Sequence, residues 1–131
     1  MPRVSAAFYA VAAVLLLAGM GLGEYMGAKE DFALAPVHAH INLLGWATLA
    51  LYGTFYALTR GTMSTPLAWT NFALSTAGAI SMPLSLTLLV TSGDTAFWGP
   101  IVGACGGLAL LGLLVFLVCV FRELFRARPA R

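Results

Sequence analysis

The sequence predicts an all-α integral membrane protein of four transmembrane helices. Three observations carry that expectation. The chain has 131 residues, of which 60% are hydrophobic and only 9% charged, against about 25% charged in soluble domains. Its apolar residues gather into four runs, each near or above the roughly 20 residues that span a bilayer as a helix. The charged residues fall almost entirely between those runs. One compact bundle uses the whole length and leaves no second domain, and a formal charge of +2 gives nucleic acid no foothold.

The first helix is expected at about 4–22. Arg3 ahead of it gives the look of a signal peptide, but the run exceeds the usual 7–15 residue apolar core of one, and further spans follow. A polar link carries Glu24, Lys29, Glu30 and Asp31. The second helix is expected at 35–59, with Pro36 in its opening turn, where a missing N–H does no harm, and Arg60-Gly61 closing it. The third runs over 66–91, with Pro83 inside it as an expected kink, and ends at Ser92-Gly93-Asp94. The fourth covers 100–121 and leads into a basic tail, 122–131, with Arg122, Arg126, Arg128 and Arg131.

Arg3, Arg60 and the C-terminal arginines share one side of this four-helix path, and Lys29 stands alone on the other. By the positive-inside rule both termini are expected in the cytoplasm of a bacterial-type inner membrane, with the start of the second helix near the outer face. Packing signals accompany the spans. Gly99, Gly103 and Gly107 are four apart, a small-x-x-x-small pattern expected to bring the fourth helix close to a neighbour. Asn71, Ser75, Gly78, Met82 and Ser85 form a weakly polar stripe on the third helix, expected to face the bundle or a subunit contact. Trp69 and Trp98 read as interface anchors. Cys105 and Cys119 are about 21 Å apart along one helix and cannot pair. No C-x-x-C or C-x-x-C-H occurs, which removes covalent c-type haem attachment and a thiolate metal site.

The chemical stretch is Pro36 to Trp46, which contains both histidines of the protein. Residues two apart on an α-helix point about 200° apart, so His38 and His40 face opposite sides and cannot share one metal. A zinc site needs three or four protein ligands, and only Glu24, Glu30, Asp31 and Asp94 lie near the same membrane face. Two readings stay open: imidazoles that hydrogen-bond at the membrane interface, or axial ligands to haem. Haem asks for one or two imidazoles per iron and a large apolar slot, and intramembrane polar groups are costly and usually functional. Met20, Met26 and Met82 are alternative second ligands, although methionine more often fills gaps.

His38-Ala39-His40, Leu44-Gly45-Trp46 and Gly53-Thr54-Phe55-Tyr56 together resemble the tenth helix of the catalytic subunit of haem-copper oxidases, closest to the C-family and nitric oxide reductase-like branch. The likeness covers the second helix, about a fifth of the chain. It implies that His38 and His40 face two different haem positions. It also implies cofactor-binding roles for His38, His40, Asn42, Trp46 and Tyr56, with the metal held by the two histidines. The family's catalytic subunit has twelve helices in three four-helix arcs, so this chain resembles one arc, and a homotrimer would rebuild the ring. The family's copper centre needs further histidines that a single chain lacks. The resemblance therefore implies a haem b protein in electron transfer, or a simple oxidase relative, with a quinol or a cytochrome as redox partner. Reduction of dioxygen or nitric oxide at a five-coordinate haem is one alternative. A copper- or haem-handling or sensing role is the other.

Overall fold

The computed structural model describes residues 1–126. Four helices carry them: α1 (Arg3–Lys29), α2 (Ala35–Leu58), α3 (Thr65–Ser92) and α4 (Thr95–Leu124). Each is long and apolar enough to cross a membrane, with mean hydropathy from 1.2 to 2.7 over its best window. The surface agrees. Val14, Leu17, Leu51, Leu84 and Leu111 all stand exposed, an apolar exterior far beyond the few hundred Å² that soluble monomers tolerate. Of the basic tail, Arg128 and Arg131 lie outside the described residues.

The element ends differ from expectation at two places. α1 does not stop near Leu22 but continues through Glu24 to Lys29, where Glu30 takes the left-handed conformation (φ 52°) and closes it. Hydropathy marks where the hydrocarbon ends, whereas the helix goes on until a residue stops its hydrogen bonding, and no proline intervenes. α4 starts at Thr95 rather than at Pro100, because the Asp94 carboxylate accepts the Phe97 N–H at 3.0 Å and caps it. Pro100 then falls in the second turn. In α3 the helix continues through Pro83, which has no N–H to donate, as far as Ser92, and Gly93 ends it with φ 70°.

The helices pack as two pairs, α1 with α2 and α3 with α4, joined mainly through α3. Small residues set the close approaches. A Cβ on Gly53 would stand 3.2 Å from the Phe8 Cβ and from the Ser5 carbonyl oxygen, and the Ser5 hydroxyl donates to the Gly53 carbonyl at 2.6 Å. Between α3 and α4 the same part is played by Gly78 against the Ala109 backbone and Gly112 against Ser75. The polar stripe of α3 therefore turns into the bundle, with Asn71, Ser75, Gly78 and Ser85 buried. The expected stripe at Gly99, Gly103 and Gly107 meets no neighbour within 4 Å. α4 touches α3 closely only further along, so the tight glycine is Gly112.

Chain direction puts Arg3, Arg60, Arg122 and Arg126 at one end of the bundle, called here the arginine end. His38, His40, Lys29, Glu30, Asp31 and Asp94 lie toward the other, the histidine end. In the arginine half, α2 and α4 meet through side chains. Tyr52 and Phe116 have ring centroids 4.2 Å apart, Phe55 and Phe116 5.0 Å, and Phe8 stacks on Tyr56 at 5.8 Å. Toward the histidine end the two helices separate.

Candidate functional site

The site begins with the local shape of α2. Its first six residues, Ala35–His40, are α-helical, Ile41–Ala47 form a π-helical stretch, and Thr48–Leu58 return to α-helix. A π turn closes i→i+5 bonds and so inserts about one residue, and such turns recur at functional sites. The insertion changes which side chains share a face. In an uninterrupted α-helix His40 and Tyr52, twelve residues apart, would point about 120° apart. Removing one residue of rotation brings them to within about 20°. His40, Leu44, Thr48 and Tyr52 consequently line one groove.

That groove, about 530 Å³, lies between α2 and α4, with Met82 of α3 and Gly106, Ala109 and Leu113 of α4 completing its walls. At its arginine side it is lined by Tyr52, whose ring packs on Phe116 with centroids 4.2 Å apart. Its open side is bordered by Leu43 and Leu110, 68% and 57% exposed, so it opens on the apolar flank of the bundle. Its volume falls within the roughly 300–1,000 Å³ of small-molecule and cofactor sites.

The two histidines lie on different sides of α2. His38 faces α1. Its Nδ1 stands 2.9 Å from the Gly19 carbonyl oxygen; a carbonyl only accepts, so Nδ1 carries the proton and Nε2 the lone pair. The Asn42 amide donates to that Nε2 at 3.2 Å and to the His38 carbonyl at 2.9 Å. Gly19 and Gly23, four apart on α1, make the room. A Cβ on Gly23 would lie 3.0 Å from the imidazole Cε1, and one on Gly19 only 2.6 Å from the Asn42 Oδ1. His38 is thus engaged through both nitrogens inside its own chain.

His40 faces the groove. Its Nδ1 lies 2.7 Å from the Pro36 carbonyl oxygen, which again assigns the proton to Nδ1. Its Nε2 makes no hydrogen bond among the described residues. A backbone carbonyl that fixes the tautomer and ring orientation while leaving the other nitrogen free is the usual arrangement behind a metal-ligating histidine.

The other residues singled out in the sequence divide accordingly. Asn42 joins His38. Trp46 is half-buried against the core. Tyr56 is fully buried in the arginine half, sixteen residues beyond His40. Its hydroxyl donates to the Cys119 sulfur at 3.4 Å and accepts from the Asn71 amide at 3.0 Å, while the Ser75 hydroxyl donates to the Asn71 Oδ1 at 2.7 Å. Tyr56 and the groove are therefore separate features. Of the methionines, Met82 lines the groove, Met20 is exposed and Met26 is buried elsewhere. The Asp31 carboxylate accepts the Ala33 N–H, and Glu24, Glu30 and Asp94 are exposed. Among the described residues no three His, Cys, Asp or Glu side chains gather as a metal site. Three contributors escaped sequence reasoning. Gly19 and Gly23 carry a visible four-residue spacing, whereas Tyr52 carries no signal until the π turn is known.

No family model matches the chain, and neither a curated protein nor a solved structure matches it. Fold and site together describe a four-span membrane protein with one free imidazole nitrogen on a lateral groove.

Proposed function

We propose that this is a membrane haem b-binding protein that transfers electrons, with His40 as an axial ligand. The observation that carries the reading is the His40 imidazole itself, held by the Pro36 carbonyl with its Nε2 unbonded at an apolar groove of about 530 Å³. Bound haem would supply one-electron chemistry. The chain's part is to orient the ring and to keep water away with Leu44, Ala109 and Leu113. The resemblance of the His38–Tyr56 stretch to the tenth helix of haem-copper oxidases supports the choice of haem. It also supports a homotrimer in which three four-helix arcs form a twelve-helix ring and a neighbouring copy supplies the second axial ligand. His38 serves as a ligand when the Asn42 amide leaves its Nε2. In this reading the membrane is a bacterial-type inner membrane, the arginine end is cytoplasmic by the positive-inside rule, and a quinol or a cytochrome exchanges electrons with the haem.

One observation favours a second reading. Within one chain the groove holds a single imidazole, because His38 lies on the far side of α2. A haem bound there would have His40 as its single imidazole from this chain and could supply dioxygen or nitric oxide reduction, as a reductase requires.

Absorbance spectra of the purified protein test both. The expected result is a Soret band that is lost in His40→Ala and largely kept in His38→Ala. A protein without the band, or a band surviving the double replacement, overturns the haem reading; copper in place of iron on metal analysis points to copper handling. A shift of the reduced spectrum on adding carbon monoxide selects the five-coordinate reading over electron transfer.

A further inference from the structure

Tyr52 is the polar group of the groove that the haem reading leaves unused. It is only 5% exposed, and its hydroxyl makes no hydrogen bond among the described residues. The ring is buried but the hydroxyl oxygen keeps access to the groove: the fully buried side-chain oxygens without a partner among the described residues are Thr76 Oγ1 and Ser81 Oγ, both on α3. The contrast with Tyr56, one turn further on, is direct: that hydroxyl is engaged by both Asn71 and Cys119. The fold satisfies one buried tyrosine twice over and leaves its neighbour open at the arginine-side end of a cavity.

The surroundings limit what the hydroxyl can meet. Thr48, one turn from Tyr52 toward the histidine end, donates its only hydroxyl hydrogen to the Leu43 carbonyl at 2.8 Å, so its oxygen remains an acceptor. This end of the groove therefore offers one donor and one acceptor, from residues one helical turn apart. Among the described residues no Lys or Arg lines the groove, so an anionic group enclosed at its Tyr52 end meets no counter-charge. Tyr52 lies about 18 Å along the helix from His40, a little less across the π turn, well within a hydrocarbon core of about 30 Å. The groove opens past Leu43 and Leu110 to the apolar flank, so its occupant arrives through lipid. Neutral, lipid-soluble, flat enough to lie beside the Tyr52 side chain, and bearing oxygens on two edges: these properties describe a quinone ring.

We infer that the arginine-side end of the groove binds the ring of a lipid-soluble quinone or quinol, with the Tyr52 hydroxyl donating to one ring oxygen and the Thr48 oxygen accepting from the other when that oxygen is a hydroxyl. The inference rests on the proposed function for the choice of a redox-active ring, and it puts the electron carrier beside the haem edge rather than in solution. Ring binding itself depends on Tyr52 and not on the histidines.

The test uses the purified full chain in phosphatidylcholine nanodiscs, titrated with decylubiquinone, with the bound carbonyl stretch followed by infrared difference spectroscopy. Saturable binding is expected, with a carbonyl band lowered in frequency by the hydrogen bond. Tyr52→Phe keeps the ring and removes the oxygen; it should weaken binding about tenfold and abolish the band shift. Leu113→Trp should fill the groove and prevent binding. His40→Ala should still bind decylubiquinone after losing haem, which separates failure of this inference from failure of the haem reading. Absence of saturable binding, an unchanged affinity in Tyr52→Phe, or an equal loss in Tyr56→Phe overturns the assignment.

Discussion

The two halves of α2 put polar groups to opposite uses. In the arginine half, Tyr56, Asn71, Ser75 and Cys119 are joined into one buried network that bridges three helices, and aromatic rings fill the space around it. Nearer the histidine end α2 and α4 part, and the groove between them, which reaches from His40 to Tyr52, exposes one imidazole nitrogen and one tyrosine hydroxyl that no described residue engages. Buried polar groups in the interior of a membrane protein are expensive when unpaired. The network around Tyr56 pairs such groups within the chain, whereas the His40 and Tyr52 polar atoms face the open space of the groove, as a place kept for an occupant requires.

Three substitutions test whether the halves are separable. The largest effect is expected for Gly78→Leu. Gly78 lies against the Ala109 backbone, which cannot give way as a flexible side chain would, so α3 and α4 must move apart along their whole contact. A loss of about 3 kcal/mol or more is expected, seen as aggregation or a lowered thermal midpoint on size exclusion in detergent, with both halves damaged together. Asn71→Ala should cost about 1–3 kcal/mol by leaving the Tyr56 hydroxyl oxygen and the Ser75 hydroxyl without their partner. If the halves are independent, thermal unfolding shifts while His40-dependent haem absorbance stays intact; a parallel loss of haem would show them coupled. The smallest effect on stability is expected for Asn42→Ala, under about 1 kcal/mol, in line with interhelical hydrogen bonds of membrane proteins. Its signature is chemical. Carbethoxylation should modify only His40 rapidly in the parent protein and both histidines in Asn42→Ala, because Asn42 no longer covers the His38 Nε2.

Much of the fold was legible in the sequence, because the membrane makes hydropathy nearly sufficient to find spans. Four runs became four helices, and the errors at Lys29 and Thr95 arose where caps rather than hydropathy decide the ends. The separation of His38 from His40 was also legible, since it needs only 100° per residue and both lie before the π turn. The groove was not. Counting along a regular helix puts Tyr52 about a third of a turn away from His40, and no side chain in Ile41–Ala47 announces the extra residue. Tyr56 looked more promising because it completes a recognisable motif, yet its hydroxyl is engaged inside the core. The glycines show the same limit. Gly19-x-x-x-Gly23 and Gly99-x-x-x-Gly103 are alike as patterns, and only the first lies against a neighbouring side chain.

The π stretch has a consequence for how α2 tolerates change in length. Its seven residues hold one more than an α-helix over the same rise, so the chain before His40 and the chain after Thr48 run out of phase by that single residue. Deleting one residue between Ile41 and Ala47 would let the stretch relax to an α-helix with the Thr48–Leu58 segment still in its present phase against the histidines, whereas straightening the stretch to an α-helix at its full length would rotate that segment by about 100°. Tyr52 would leave the groove, or Tyr56 would leave its network. What α2 must keep here is the phase between its two ends, which seven residues in a π stretch and six in an α-helix deliver alike.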